Sequence, residues 1–243
     1  MIGSNIIFLP EVDSTNNYIA KLISEGNIGH GTVILAEKQT AGRGQRGNTW
    51  RTSSENQFTA SIYLSTAFLS VHHAPYLNKA LAVGVAQTVK GILGESVRLK
   101  WPNDILVKDK KLGGILIEGN IKNQQLEYVV FGLGINLKKE EAVERSTSVE
   151  DFDFHLSPFE FLTFLLPKIQ LQFERCQKFE FKGIQQEYLD FLWRLNEDQL
   201  ISESGGETFM GRIVNVDETG SVVIESMNEV KSYGLQEVRF SYE

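Results

Sequence analysis

The chain contains a single cysteine, Cys176, among 243 residues. One thiol forms no internal disulfide and no zinc site built on paired cysteines, which fits a reducing compartment. Cations are outnumbered: 24 Lys and Arg face 31 Asp and Glu, leaving a net charge of −7 and a pI near 5.3. That balance argues against a general nucleic-acid binder, which needs a broad basic face. The four histidines, His30, His72, His73 and His155, show no metal-ligand spacing. Long apolar runs are missing too. Residues 56–78 carry no charged side chain, but Gln57, Ser61, Ser65, Ser70, His72, His73 and Pro75 interrupt them, so no bilayer span is expected. The opening MIGSNIIFLPEVDS lacks the basic and apolar regions of a secretory signal, so the expected location is the cytoplasm, without a membrane partner.

What is present reads as one larger α+β unit followed by a small all-β one. NIIFLPEV is a short strand, and DSTNNYIAKLIS opens a helix with Asp13, Ser14 or Thr15 as N-cap. Residues 31–39 form a β-rich run that empties into the loop TAGRGQRGNTW, 40–50. FTASIYLS (58–65) alternates like a strand, and 77–93 is a periodic helix with small residues on its sheet-facing side. Four strands follow at 97–101, 104–108, 111–121 and 126–137, with connections short enough to predict antiparallel hairpins. Ser157-Pro158-Phe159-Glu160 is a capping box that starts a helix running towards Lys178, with a kink or split expected at Pro167. A second amphipathic helix covers about 183–195. From about 198 the texture changes to four or five short strands, with turns at Gly205-Gly206, Glu218-Thr219-Gly220 and Asn228, as in a small barrel or sandwich. The expected division is 1–196 and 197–243.

Two positive islands stand out in this acidic chain. Residues 37–51 hold Lys38, Arg43, Arg46 and Arg51 against Glu37, laced with Gly42, Gly44 and Gly47. Glycines let backbone N–H groups approach an anion, and arginines clamp phosphate or carboxylate; the competing reading is a surface loop with solvated arginines. The glycines are not a dinucleotide fingerprint, because no helix pattern follows them. Residues 98–111 hold Arg98, Lys100, Lys108, Lys110 and Lys111 against Asp104 and Asp109. Within them, Lys100-Trp101-Pro102-Asn103-Asp104 reads as a rigid corner beside an indole, or simply as a hairpin corner over a buried Trp. Lys111 beside Gly113-Gly114 predicts an ammonium held where the backbone must come close to something. Gly132-Leu133-Gly134-Ile135-Asn136 repeats the device on a neighbouring strand. The remaining features are read as structural: Cys176 as a small buried side chain, the acidic run 140–155 as a solvated loop, and the phenylalanines of 152–164 as core. Two glycine-laced anion sites at strand ends point to a ligand carrying phosphate and carboxylate.

Taken in order, Asp13-Ser14-Thr15-Asn16, the stretch Glu37 to Gly47 with Trp50, then KWPNDI, KLGGILIE and GLGINL resemble the biotin–protein ligase family. The resemblance runs from about residue 8 to 137, and the C-terminal segment is similar in position and size. It implies a mixed-sheet catalytic domain with packed helices, followed by a small SH3-like all-β domain. It also implies an enzyme that forms biotinyl-5′-AMP from biotin and ATP with Mg²⁺, then transfers biotin to a lysine of a biotin carboxyl carrier protein. Carried over by position, Ser14, Thr15 and Gln39 fall where the family holds biotin's ureido ring, and Asn16 among its biotin-binding residues. Gly42, Arg43, Gly44 and Gln45 fall in the loop over biotin and adenylate, Lys111 at the catalytic lysine, and Gly114 at the carboxylate. Arg43 joins Lys111 as a catalytic candidate, while Arg46, Asn48, Trp50, Asn103, Asp104 and Asn136 surround the nucleotide. Gln45 and Asn48 depart from relatives that carry arginines there, which bears on nucleotide affinity and adenylate retention. No metal ligand is assigned.

Two rivals remain at this level. A lipoate–protein ligase needs a long apolar tunnel in place of the Ser/Thr/Gln set. A non-enzymatic biotinyl-AMP sensor of the repressor type carries a DNA-binding module, for which no room is expected ahead of the first motif at residue 8. Arg212, Lys231 and Arg239 face seven acids in the C-terminal 45 residues, ahead of the terminal Glu243, so no nucleic-acid partner is expected there either. That segment is expected to close over ATP or to receive the carrier.

Overall fold

Twelve strands and four α-helices are built from the residues that the computed structural model describes: 1–50, 57–139, 145–227 and 229–240, with Arg46 described in its backbone alone. Arg51 of the first basic island, Glu140, Glu141 and Glu144 of the acidic run, the Asn228 turn and Glu243 lie outside the described residues.

The larger sheet begins with β1 (Asn5–Val12) and β2 (Thr32–Gln39), which run parallel because α1 (Thr15–Ser24) crosses between them. Strand β1 lies at the sheet edge, where Pro10 interrupts no shared ladder. Antiparallel pairing then carries the sheet through β3 (Phe58–Ser65), β7 (Gln125–Ile135), β6 (Lys110–Lys122), β5 (Asp104–Val107) and β4 (Val97–Lys100). At the β5–β6 and β6–β7 turns, Lys108-Asp109 and Asn123-Gln124 all take positive φ, the conformation that two-residue hairpins need. The predicted mixed sheet and its hairpins are present.

The later helices pack on one face of this sheet, while α1 lies on the other, its Ile19 against Ile34 and Val130. Helix α2 (Ala74–Leu93) starts earlier than the expected residue 77 because Pro75 suits a first turn, and it closes at Gly94 with φ 63°. Helix α3 (Pro158–Gln177) has the predicted capping box: Glu160 N donates to Ser157 Oγ at 3.2 Å, and Ser157 N to Glu160 Oε2 at 2.8 Å. It is not split at Pro167. That residue is exposed, as is Thr163, whose carbonyl loses its helical donor, while Leu165 and Ile169 stay locked in the core. Helix α4 spans Phe181–Phe191, not 183–195, because Leu192 turns extended and Arg194 and Asn196 take positive φ. The phenylalanine cluster is also corrected: Phe161 is fully buried, but Phe154, Phe159 and Phe164 are exposed. Phe159 packs on Phe8 of the edge strand, with ring centroids 5.5 Å apart.

The C-terminal strands β8 (Asp198–Glu203), β9 (Thr208–Val216), β10 (Val222–Ser226), β11 (Glu229–Tyr233) and β12 (Val238–Phe240) form a second, antiparallel sheet. Ile201, Ile213, Val222 and Phe240 join the same apolar core as the larger sheet. Polar pins reinforce the seam. Lys79 of α2, 3% exposed, donates to Gln185 Oε1 (2.6 Å), Val216 O (2.9 Å) and Asp217 O (2.7 Å), so each ammonium proton has an acceptor. Trp101 Nε1 donates to Gly220 O at 3.0 Å.

Candidate active site

A cavity of about 300 Å³ opens on the larger sheet, between the start of α1, the corner after β4 and the loop 40–50. One end is built from neutral polar side chains. Ser14 is the extended N-cap of α1, yet its hydroxyl makes no cap bond. The side chain of Gln39, at the end of β2, meets the helix instead, its Oε1 accepting from Thr15 N (2.8 Å) and Thr15 Oγ1 (3.2 Å). Ser61 Oγ on β3, fully buried, lies 2.6 Å from Thr15 Oγ1 and 2.5 Å from Asn16 Oδ1. Asn16 Nδ2 donates onwards to Glu118 Oε2 at 2.7 Å. Ser14, Thr15 and Asn16 are at most 4% exposed, so this end offers fixed, desolvated hydrogen-bonding groups.

The other end is charged. Lys111 Nζ on β6 sits 2.6 Å from Asp104 Oδ1 on β5, the two strands being neighbours in the sheet. Asn103 braces the corner: its Nδ2 donates to Ile115 O (2.9 Å) and its carbonyl accepts from Ile115 N (2.9 Å). Behind them Lys100 lies 5.2 Å from the Trp193 ring centre. Burial brings its ammonium down to about 8; Asp104 opposes the shift, while Lys111, Arg194 and Arg145 add to it.

The loop 40–50 forms the roof. Gly44 N donates to Asn48 O (2.7 Å) and Trp50 N to Gly42 O (2.9 Å), folding the loop back on itself. The Trp50 indole lies flat over Gly134, where a Cβ would overlap the ring; its Nε1 is buried and has no hydrogen-bond partner among the described residues. Gly42 is needed for the same closure, because a Cβ there would collide with the Trp50 carbonyl. Arg43 is held by Glu118, with Nη2 2.6 Å from Oε1 and Nη1 3.2 Å from Oε2.

A second cavity, about 410 Å³, adjoins the first and shares Thr49, Trp50 and Lys111 with it. Its far wall is the segment 145–151, expected from its acidity to be a solvated loop. The structure corrects that expectation for the described part. Thr147, Ser148 and Val149 are buried because this backbone pairs with the sheet: Lys111 N donates to Arg145 O and Thr147 N to Lys111 O, both at 2.9 Å. Burial pulls the Asp151 carboxyl up, but bonds from Ser148 and Thr147 and the nearby Lys139 outweigh it and hold it below the usual range.

Most predicted residues therefore meet in one place. Ser14, Thr15, Asn16, Gln39, Arg43, Gly44, Gln45, Asn48, Trp50, Asn103, Asp104, Lys111 and Gly114 all line the first cavity. Gly42 does not line it but shapes the roof, and Asn136 lines the second cavity, its Nδ2 donating to Thr147 O at 3.1 Å. The Arg46 side chain lies outside the described residues. Sequence reasoning missed Ser61, Glu118 and Ser146–Ser148. The first two carried a signal: Ser61 shares the period-two face of Thr59 in a buried strand, and Glu118 that of Gly114 and Leu116.

Residues 8–136 match the model of the biotin/lipoate A/B protein ligase family. Among curated proteins, the bifunctional ligase/repressor BirA of Escherichia coli (strain K12) is 37% identical over 138 residues, covering 56% of this chain and 41% of that protein. The chain thus spans about two fifths of the length of BirA. The biotin--[acetyl-CoA-carboxylase] ligase of Paracoccus denitrificans is 28% identical over 226 residues, covering 89% of this chain and 92% of that protein. Among solved structures, the biotin protein ligase from Aquifex aeolicus in complex with biotin and ATP superposes with a TM-score of 0.80 at 27% identity, covering 98% of this chain and 100% of that one.

Proposed function

The chain belongs to the biotin/lipoate A/B protein ligase family, and we propose that it is an ATP-dependent biotin–protein ligase. The observation that carries this reading is the polarity of the cavity, neutral at the α1 end and charged at the Lys111 end. Biotin has the same polarity. Its ureido ring is a neutral donor–acceptor group suited to Ser14, Thr15, Asn16 and Gln39, and its carboxylate is an anion suited to Lys111 and the backbone at Gly114.

The chemistry follows from that placement. A biotin carboxylate oxygen attacks the α-phosphorus of ATP, the bond to the bridging oxygen breaks, and pyrophosphate leaves. A carrier lysine amine then attacks the carbonyl of the mixed anhydride, forming an amide and releasing AMP. The first step brings anions together, so positioning and charge neutralisation dominate it. Lys111 acts as a protonated cation beside the carboxylate and α-phosphate. Trp50, Asn103, Asp104 and Asn136, with Arg46 and Asn48 of the loop, surround the nucleotide, which extends into the second cavity beside Ser146–Ser148. The roof of Gly42, Arg43, Gly44 and Gln45 excludes water from the anhydride.

Bound Mg²⁺ would supply further charge neutralisation to the triphosphate. The described residues hold no cluster of three or more acidic, His or Cys side chains that could ligate it. The acceptor is a biotin carboxyl carrier protein, and residues 197–243 receive it or close over ATP, with 1–196 as the ligase unit. The enzyme acts in the cytoplasm, in keeping with a sequence that holds one cysteine, Cys176, and so no internal disulfide. No helix of the described residues is long and apolar enough to cross a membrane.

The test is pyrophosphate release with ATP and either biotin or lipoate, followed by mass analysis of an added carrier domain. Biotin-dependent release and a carrier heavier by one biotinyl group are expected. Release with lipoate alone overturns the assignment.

A further inference from the structure

We infer that Glu118 is a positioning residue that latches the glycine loop shut over the cavity, and that Arg43 works as the other half of this latch rather than as a phosphate ligand. The part of this inference that concerns adenylate rests on the ligase reading; the latch itself rests on geometry alone.

Both terminal nitrogens of Arg43 are engaged away from the cavity floor. Nη2 meets Glu118 Oε1 at 2.6 Å, and Nη1 meets Glu118 Oε2 at 3.2 Å and Asn17 Oδ1 at 3.0 Å. A forked pair of this kind fixes direction as well as distance, which a lysine in place of the arginine does not. Glu118 is itself held from the other side, because Asn16 Nδ2 donates to Oε2 at 2.7 Å and Asn16 Oδ1 lies 2.5 Å from the buried Ser61 hydroxyl. One carboxylate on β6 therefore joins the roof to the neutral wall of the cavity. Arg43 also sits at the base of the loop, in the bridge with Thr49, so holding its side chain holds the whole turn between them. The pair is half-exposed, at 46% and 36% of the side-chain surface, which suits a latch that must open for substrates.

The consequence is a coupling between wall and roof. A ligand that orders Asn16 orders Glu118, and Glu118 orders Arg43 and the loop. An anhydride made beneath the loop is kept there until the acceptor amine arrives; with the latch broken, it escapes and acylates any amine.

The experiment is a double-mutant cycle on the whole protein with Arg43→Ala, Glu118→Gln and both together. The first readout is amide hydrogen exchange of peptides covering 40–50, measured without substrates, where the Gly44 and Trp50 amides carry the loop's internal bonds. Each single variant is expected to exchange about fivefold faster than the parent, and the double variant no faster than either single one. The second readout is labelling of a bystander protein with biotin and ATP present, expected to rise in all three. Unchanged exchange in Glu118→Gln, or single effects that multiply in the double variant, overturns the latch. A parent protein that releases no pyrophosphate with biotin sinks the ligase reading instead, and the exchange result stands apart from it.

Discussion

The two ends of the first cavity are built by opposite means. At the α1 end, polar atoms satisfy one another in a chain from Gln39 through Thr15, Ser61 and Asn16 to Glu118, with the three middle members withdrawn from water. At the other end a lysine and an aspartate face each other at 2.6 Å with part of their surface open, and a second lysine is buried behind them. On the ligase reading, the first arrangement selects by shape and hydrogen bonding, through groups that hold one another in fixed directions. The second acts through charge, where a single well-placed cation has its largest effect on a reaction that gathers anions. On the ligase reading, recognition and activation are separated along one cavity.

Removing the charge should therefore cost the most. Lys111→Ala is expected to lower biotin-dependent pyrophosphate release by roughly 100- to 1,000-fold, with an unchanged circular dichroism spectrum. Near-normal release from a folded variant would remove the lysine from its role. The neutral end should respond differently. Gln39→Ala deprives Thr15 N and Oγ1 of their acceptor, and KM for biotin is expected to rise about tenfold while kcat changes far less. A fall confined to kcat would erase the distinction between the ends.

Smaller effects sharpen the comparison. The Lys100 ammonium titrates at about 8, below the ordinary lysine value, because of burial. Raising pH from 7 to 9 removes that charge from behind the Lys111–Asp104 pair, so biotin-dependent pyrophosphate release should change a few-fold, and Lys100→Arg should flatten the profile. Stability responds to the same group. The cost of burying the charged form is fully present below pH 8 and is relieved as pH rises towards the lysine value of 10.5, where the unfolded chain also loses its proton. Lys79 provides the control, a buried cation far from this chemistry. Lys79→Met removes one donor each from Gln185 Oε1, Val216 O and Asp217 O, although Gln185 Nε2 and Gly220 N still reach the two carbonyls, and is expected to lower stability by about 1 kcal/mol in urea unfolding, with little change in kcat at 25 °C.

Legibility in the sequence followed the range of the interactions. Strand positions, hairpin turns and the Ser157 capping box are local, and the structure bears them out, although Phe58–Ser65 is buried on both faces instead of alternating. The halves of the site were legible because glycine, arginine and lysine are unusual company for a strand end. What escaped was set by partners distant in the chain. Thr147 and Ser148 sit in an acidic stretch that looks solvated until its backbone is paired with Lys111. Glu118 looks like a solvent-facing strand residue until Arg43 arrives from 75 residues earlier. Pro167 misled for the converse reason: its exposed position lets the core face carry the helix through.

The separation of the two ends is tested most directly by calorimetric titration of biotin and of biotin methyl ester, which keeps the ureido ring and lacks the carboxylate. The dissociation constants should be measured for the parent chain, Gln39→Ala and Lys111→Ala. The account predicts that Gln39→Ala weakens both compounds by the same factor, about tenfold, while Lys111→Ala weakens biotin and leaves the ester near its parent value. Equal losses for biotin and its ester in Lys111→Ala, or no loss for either in Gln39→Ala, would contradict it.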